Sequence, residues 1–147
     1  MKIIFVCTGN TCRSPMAEGI VKALAPDIEV ESRGIFITPG MNTNKFTQQI
    51  LNEKLAVVLD HPAREISDQD CLNADLVLTM TQSQADFIRN LGECTQVYTL
   101  TDFAEEEGDV PDPFGSPLSV YERTYESLIR LINKTLKKIR EDEWPSS

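Results

Sequence analysis

The sequence predicts an α/β protein in which one open parallel sheet of four strands is flanked by helices. Short apolar runs alternate along the chain with longer stretches whose apolar residues recur at helical spacing. The apolar runs show little polar alternation, as expected of strands buried on both faces of a parallel sheet. At 147 residues, 41% of them hydrophobic, the chain has the size of one globular domain, and we expect a single domain over residues 1–147.

The first strand and the first helix enclose a short loop. Residues 2–7 read KIIFVC and form the expected central strand. Ser14 suits a helix N-cap and Pro15 suits the first helical position, so a helix is predicted from there to Pro26. Residues 8–13 therefore connect the carboxyl end of a buried strand to the start of a helix.

The rest of the chain continues the alternation. Further strands are predicted at residues 28–32, 74–80 and 96–100. Further helices are predicted at residues 47–55, 83–91 and 118–139, the last of them long and amphipathic. Residues 102–115 are acidic and carry two prolines and two glycines, so they are expected to form a loop, and residues 141–147 to form a frayed tail.

Composition and charge exclude several classes of protein. The net charge of -9 repels phosphate backbones, so no nucleic-acid partner is expected. No apolar run approaches the ~18 residues of a membrane span, and the N-terminal run is too short for a signal peptide. We therefore expect a cytoplasmic monomer whose four cysteines are reduced thiols. Their spacing fits neither CxxC nor a zinc site, so no metal and no cofactor are expected.

The segment from Cys7 to Ser14 reads CTGNTCRS, which is C-x5-R followed by serine. A loop that wraps into a helix N-terminus points backbone N–H groups at one spot, where the helix dipole adds positive potential. Gly9 permits a tight turn, and the guanidinium of Arg13 can bond two phosphoryl oxygens at once. The expected phosphate-binding residues are Thr8, Gly9, Asn10, Thr11, Cys12 and Arg13.

Cys7 is the candidate nucleophile of this loop. The positive field favours the anionic thiolate, which is the reactive form of cysteine, and Ser14 could hydrogen-bond the sulfur. The alternative is an ordinary buried cysteine at a strand end. Cys12 is either loop filler or a redox partner that traps an oxidised Cys7 as a disulfide. Cys71 and Cys94 are expected to be inert.

Four blocks of residues occur in the order and spacing of one known family: residues 7–15 with Ala17 and Glu18, residues 32–34, residues 61–64 with Ile66 and Asp70, and residues 112–115. In these blocks the chain resembles the low-molecular-weight protein-tyrosine phosphatases over essentially its full length. The resemblance implies a flavodoxin-like fold and phosphorylated proteins as substrates. It also implies that Cys7 attacks phosphorus, Arg13 binds the phosphoryl oxygens and Asp112 protonates the leaving group. Water then hydrolyses the cysteinyl phosphate.

Two further roles follow from the resemblance and from local chemistry. In the family, a polar network supports the loop, and its members here would be Asn10, Ser14, Ser32 and His61. His61, the only histidine, is then structural rather than a general base. Asp112 also precedes Pro113, which holds the preceding residue extended and would stiffen the loop that aims the carboxyl group.

The chain departs from the tyrosine-specific members at two places. Thr11 stands where an apolar residue is usual, and Phe114 and Gly115 replace a pair of tyrosines after Asp-Pro. Both features resemble the bacterial protein-arginine phosphatase branch. A guanidinium is rich in donors, and Thr11 and Asp112 supply acceptors, whereas Phe114 could stack on either kind of side chain. Phosphoarginine is thus the favoured substrate and phosphotyrosine the alternative. Arg33, where a small residue is common, has no explanation from the sequence.

Two more remote readings share such a loop. A thiol-coupled arsenate reductase would need a close second pair of cysteines, and Cys71 and Cys94 are far apart in sequence. A non-catalytic phosphate-binding or phosphocarrier module would keep the group on Cys7 and pass it to a partner. The acid in the Asp112-Pro113 loop argues against that module, and turnover of p-nitrophenyl phosphate would separate the two kinds of protein.

Overall fold

One sheet of four parallel strands organises the computed structural model, which describes residues 1–141. The strands are β1 (Lys2–Cys7), β2 (Glu29–Gly34), β3 (Leu76–Thr79) and β4 (Val97–Thr99), in the order β2-β1-β3-β4. The helices within this range are α1 (Arg13–Leu24), α2 (Lys45–Leu55), α3 (Asp68–Asn73), α4 (Gln82–Leu91), α5 (Leu100–Phe103) and α6 (Leu118–Arg140). The predicted fold class, an open parallel α/β sheet flanked by helices, is confirmed.

Strand β1 lies at the centre because it is apolar on both faces. Ile3 and Phe5 belong to a large core that includes side chains of α1, α2, α5 and α6. Ile4 and Val6 belong to a second core with side chains of α3 and α4. All four of these side chains are 0% exposed. The unbroken apolar run in the sequence thus reflects a strand covered by helices on each side.

The carboxyl end of β1 is the point at which the strand order reverses. The chain passes from β1 to β2 on one side and then crosses to β3 on the other side. In open α/β sheets such a switch point leaves a crevice between the two connections, and ligands bind there. Cys7 is the last residue of β1 and therefore lies at this crevice.

Helix α1 begins two residues earlier than the sequence predicts. It starts at Arg13, and its N-cap residue, Cys12, makes no side-chain capping bond. The prediction that Ser14 is the N-cap is wrong, because the Ser14 hydroxyl is engaged with Cys7 and Asn10 instead. Pro15 is still tolerated in the first turn, where N–H groups have no intrahelical partner.

Two short helices were not expected. Helix α3 has a capping box in which Ser67 accepts from the Asp70 N–H at 3.1 Å and Asp70 accepts from the Ser67 N–H at 3.0 Å. The S-x-x-D pattern is the signal that could have predicted it. Helix α5 covers residues expected to end a strand and begin a loop. Of the predicted frayed tail, residues 142–147 lie outside the described residues.

Cys71 and Cys94 form a disulfide, which contradicts the expectation of reduced, inert thiols. The bond joins α3 to the turn after α4, across 23 residues of sequence, with the two Cα atoms 4.7 Å apart. The separation along the chain concealed this proximity, which arises because α3 and α4 pack against the same face of the sheet. Cys7 and Cys12 are free thiols.

Breaking this disulfide should lower stability. Closing a loop of this size is expected to contribute about 3 kcal/mol, because the bond restricts the unfolded chain. Cys71→Ser, Cys94→Ser and the double variant should therefore show the same decrease in the free energy of unfolding, measured by urea titration without reductant. Since the bond needs both sulfurs, additive losses in the double variant, or a wild-type midpoint in either single variant, would contradict the pairing.

Among residues 1–141, no helix combines the length and the apolar character needed to span a bilayer.

Candidate active site

The loop between β1 and α1 is anchored on its outer side by its carbonyl groups. The Thr8 carbonyl accepts from the N–H groups of Ile35 at 2.9 Å and Phe36 at 3.0 Å, and the Thr11 carbonyl accepts from Asn44 at 2.8 Å. Asn10 adopts a left-handed conformation, with φ of 57°, which Asn tolerates better than most residues. Carbonyls held outward leave the backbone N–H groups of such a loop able to point inward at an anion.

A pocket of about 200 Å³ opens inside the loop. It brings together residues that are far apart in sequence, from the loop and from the segment after α5. Most of them were predicted as site residues; Thr38 and Met41 were not. The lining residues are Cys7, Thr8, Gly9, Thr11, Cys12, Arg13, Thr38, Met41, Asp112 and Phe114. Asn10 is not among them, because its side chain is 0% exposed and supports the loop from behind.

The guanidinium of Arg13 is buried at this pocket with an unused donor. Arg13 is 4% exposed, and its Nη1 donates to the Val110 carbonyl at 2.9 Å. Its Nε has no hydrogen-bond partner within residues 1–141. A buried donor without a partner costs free energy, so it marks a place where an acceptor such as a phosphoryl oxygen would be stabilised.

The sulfur of Cys7 lies 3.0 Å from the Ser14 hydroxyl oxygen. Asn10 Nδ2 donates to that same oxygen at 2.9 Å, so the Ser14 proton is free to be donated elsewhere. Its possible acceptors are the Cys7 sulfur and the Arg33 carbonyl at 3.3 Å. A hydroxyl donor at this position stabilises an anionic sulfur.

The remaining predicted support residues, Ser32 and His61, belong to one network with Asn10 and Glu18. Asn10 Nδ2 also donates to Ser32 Oγ at 3.0 Å, and Asn10 Oδ1 accepts from the Arg64 N–H at 3.0 Å. The Ser32 hydroxyl donates to Glu18 Oε1 at 2.6 Å, and His61 Nε2 lies 2.9 Å from the same carboxylate oxygen. Both the nitrogen and the oxygen of the Asn10 side chain are thus hydrogen-bonded, and these bonds hold the residue in its left-handed conformation.

Glu18 is a member of this network to which the sequence assigned no role. Burial opposes its ionisation, but hydrogen bonds from His61, Lys22 and Ser32 outweigh burial and lower the pKa of Glu18. The hydrogen bond to Glu18 in turn raises the pKa of His61. His61 lies outside the pocket lining, so the geometry favours support of the loop over proton transfer to a substrate.

Gln84 is a second supporting residue that the sequence did not single out. Its Nε2 donates to Thr8 Oγ1 at 3.0 Å, and its Oε1 accepts from the N–H groups of Met80 and Thr81. Its side chain therefore ties the start of α4 to the loop. The T-x-x-Q capping box was visible in the sequence, but the contact with Thr8 spans 76 residues and was not.

The Cys12 sulfur has different hydrogen-bond partners from the Cys7 sulfur. Its sulfur lies 3.4 Å from the Tyr121 hydroxyl and 3.6 Å from Thr11 Oγ1. Burial raises the pKa of the Cys12 thiol, and burial likewise raises the pKa of Tyr121. Burial thus favours the protonated form of the Cys12 thiol, and its role as a redox partner stays a prediction.

Asp112 lies at the mouth of the pocket. Its side chain is 54% exposed, with Oδ2 3.7 Å from Arg13 Nη2 and Oδ1 accepting from the Phe114 N–H at 3.0 Å. The other aspartates of the loop have different places: Asp109 accepts from the Gln82 N–H, and Asp102 lies in the first turn of α5. Asp112 is the one of the three that lines the pocket.

Arg33 has a structural explanation. Its Nε donates to Asp70 Oδ2 at 3.0 Å, its Nη2 donates to Asp70 Oδ1 at 3.3 Å, and its Nη1 donates to the Ser32 carbonyl at 2.8 Å. This bidentate ion pair between Arg33 and Asp70 links the end of β2 to α3. It therefore holds the backbone beside Ser32, whose hydroxyl belongs to the network.

The fold and the pocket define a class of protein: an α/β protein in which a loop at the end of the central strand lines a pocket and carries a cysteine and an arginine. Residues 2–144 match the protein family described as "low molecular weight phosphotyrosine protein phosphatase". The chain belongs to this low-molecular-weight phosphatase family, as its sequence motifs predict.

Curated and solved relatives agree with this assignment. The PtpB low-molecular-weight protein-tyrosine phosphatase of Staphylococcus haemolyticus is 40% identical over 141 residues, which cover 91% of this chain and 96% of that protein. A YwlE arginine phosphatase mutant with a phosphorylated active-site serine superposes with a TM-score of 0.90 at 36% identity, covering 97% of each chain. A low-molecular-weight protein-tyrosine phosphatase from T. tengcongensis has a TM-score of 0.87 at 40% identity, covering 94% of this chain and 99% of the other.

Proposed function

We propose that the chain is a cysteine-dependent protein phosphatase whose main substrate is phosphoarginine. The observation that carries the chemistry is the pocket itself, which is lined by both Cys7 and Arg13, and the buried Nε of Arg13 has no hydrogen-bond partner among residues 1–141. A phosphoryl group placed there would meet a nucleophile, a fixed cation and a loop of backbone donors.

The proposed reaction has two steps. The Cys7 thiolate attacks phosphorus, the bond from phosphorus to the substrate nitrogen breaks, and Asp112 donates a proton to that nitrogen. Arg13 and the loop N–H groups hold the equatorial oxygens throughout. Water then attacks the cysteinyl phosphate, Asp112 takes up its proton, and the sulfur–phosphorus bond breaks to release inorganic phosphate.

The preference for phosphoarginine rests on acceptors around the pocket. A phosphorylated guanidinium carries several N–H donors, and Thr11 and Asp112, whose side chains carry acceptor oxygens, line the cavity. Thr38 adds a further hydroxyl to the lining. Solved relatives at 33% to 36% identity include YwlE arginine phosphatases, which supports this preference. The predicted cytoplasmic location, monomeric state and lack of a nucleic-acid partner stay predictions.

Phosphotyrosine is the second candidate substrate. Met41 and Phe114 give the pocket an apolar side against which a phenyl ring could pack, and curated relatives at 40% identity are protein-tyrosine phosphatases. The two more remote readings receive less support. Cys71 and Cys94 are paired on the opposite face of the sheet from Cys12, which disfavours a reductase relay. Asp112 at the pocket mouth disfavours a module that only carries phosphate.

The two substrates are compared directly with peptides of one sequence that carry either phosphoarginine or phosphotyrosine. We expect the higher kcat/KM for phosphoarginine, measured as released phosphate at neutral pH. Cys7→Ser corrects for spontaneous loss of the labile phosphoarginine group. A higher kcat/KM for phosphotyrosine would overturn the proposed specificity while leaving the phosphatase assignment intact.

Thr11→Ile should shift specificity toward phosphotyrosine. The change removes one acceptor and adds apolar surface, so the phosphoarginine to phosphotyrosine ratio of kcat/KM should fall roughly 10-fold, the value of one hydrogen bond. Thr11→Ser is the matched control, because it keeps the hydroxyl and should keep the ratio. An unchanged ratio in Thr11→Ile would show that Thr11 is a polar loop residue without a selective role.

A further inference from the structure

Phe36 is an aromatic residue exposed beside the phosphate loop. Its side chain is 66% exposed, yet its backbone is fixed, because the Phe36 N–H donates to the Thr8 carbonyl at 3.0 Å. Ile35, the preceding residue, donates to the same carbonyl and is buried. Thr8 lines the pocket. The backbone that carries the exposed ring is therefore hydrogen-bonded to a residue that lines the pocket.

The ring is also held in a defined orientation. Phe87 of α4 contacts it edge to face, with the two ring centroids 5.2 Å apart and an angle of 65° between the planes. Helix α4 is itself tied to the loop by Gln84, whose Nε2 donates to Thr8 Oγ1. A rigid aromatic group loses little conformational entropy when it binds a partner, which is why such groups are effective contact points.

Apolar side chains are concentrated around this mouth although the chain has a net charge of -9. Phe114 is 60% exposed and Met41 is 38% exposed, and both line the pocket. Together with Phe36 they form what we name the apolar rim. Phe36 adjoins the pocket through its backbone, because its N–H donates to the carbonyl of Thr8, which lines the pocket.

The occupant that fits this rim is the substrate protein itself. When a phosphorylated side chain enters the pocket, its backbone stays outside, and neighbouring residues follow at about 3.3 to 3.6 Å each. We propose that Phe36, held by Phe87, binds an apolar side chain one to three positions away from the phosphorylated residue. This docking role rests on the proposed function, and it adds a substrate preference that Cys7, Arg13 and Asp112 cannot provide.

The test uses paired peptides with leucine or serine at the positions flanking the phosphorylated residue. Each pair is made with phosphoarginine and with phosphotyrosine, so that whichever group is hydrolysed reports on docking. For the wild type we expect kcat/KM to be roughly 5- to 10-fold higher for the leucine peptide, mainly through KM. Phe36→Ser should abolish this preference and leave hydrolysis of p-nitrophenyl phosphate unchanged, because Phe36 does not line the pocket that this small molecule occupies.

Two control variants separate docking from general effects of lost apolar surface. Phe36→Leu keeps an apolar side chain and should keep most of the preference. Val58→Ser removes an apolar residue that is 88% exposed in the segment after α2, outside the pocket lining, and should leave the preference intact. A preference that persists in Phe36→Ser, or a wild type that does not distinguish the peptides, would overturn the proposal.

Failure of docking and failure of the proposed function give different results. Lost hydrolysis of p-nitrophenyl phosphate by the wild type would contradict the phosphatase itself. Loss of that activity in Phe36→Ser alone would show that Phe36 supports the loop and does not bind substrate. A sedimentation coefficient that rises with concentration for the wild type but not for Phe36→Ser would assign the rim to a second copy of the chain, which also overturns the proposal.

Discussion

Replacing Cys7 with serine should reduce hydrolysis of p-nitrophenyl phosphate by roughly 10⁴-fold or more, because the reaction loses its nucleophile. A serine hydroxyl is similar in size and can still face Ser14, which lies 3.0 Å from the Cys7 sulfur, but it is not ionised at neutral pH. The loop and Arg13 remain in place. Cys7→Ser should therefore still bind inorganic phosphate, measured by titration calorimetry, while its initial rates fall to background.

Cys12→Ser is the matched control for this experiment. Cys12 lines the same pocket, but burial raises the pKa of its thiol and so disfavours the thiolate form that would attack. Its replacement should retain most of the activity. Equal rates for wild type and Cys7→Ser, or a loss in Cys12→Ser as large as in Cys7→Ser, would contradict the assignment of Cys7 as the nucleophile.

The parts of the fold that the sequence predicted are those encoded by local patterns. The apolar run of β1 and the helical periodicity of α6 are each readable within one segment, and both elements were found within two residues of their expected bounds. The loop after Cys7 was predictable for the same reason, since a buried strand, a glycine and a proline-containing helix start adjoin one another. Local chemistry was enough to locate this loop, whereas Asp112 was singled out by the family resemblance, and Thr38 and Met41 were not predicted.

Apart from α3, whose capping box is a local signal, the parts that were missed depend on contacts between distant segments. Gln84 reaches Thr8 across 76 residues, and Cys71 reaches Cys94 across 23. Ser14 is instructive because its local pattern favoured an N-cap, whereas Cys7 and Asn10 draw its hydroxyl into the site. A supporting network overrides local preference where polar groups are buried together, because each must find a partner.

Replacing Asp112 with asparagine should lower kcat for phosphorylated peptides by roughly 10²- to 10⁴-fold, the contribution of a positioned acid. In the wild type the Phe114 N–H donates to Asp112 Oδ1 at 3.0 Å. The amide oxygen of the variant can accept the same hydrogen bond, so the loop should keep its shape. The amide cannot give up a proton to the leaving group. Hydrolysis of p-nitrophenyl phosphate should fall less than that of phosphoarginine, because p-nitrophenolate departs readily without protonation.

This dependence on the leaving group distinguishes an acid from a residue that only shapes the pocket. Asp109→Asn is the matched control: it lies in the same loop and accepts from the Gln82 N–H at 2.9 Å, but it does not line the pocket. Its kcat should stay near that of the wild type for both substrates. Equal losses for the two substrates in Asp112→Asn would indicate a changed binding site, because loss of a proton donor must affect the poorer leaving group more strongly.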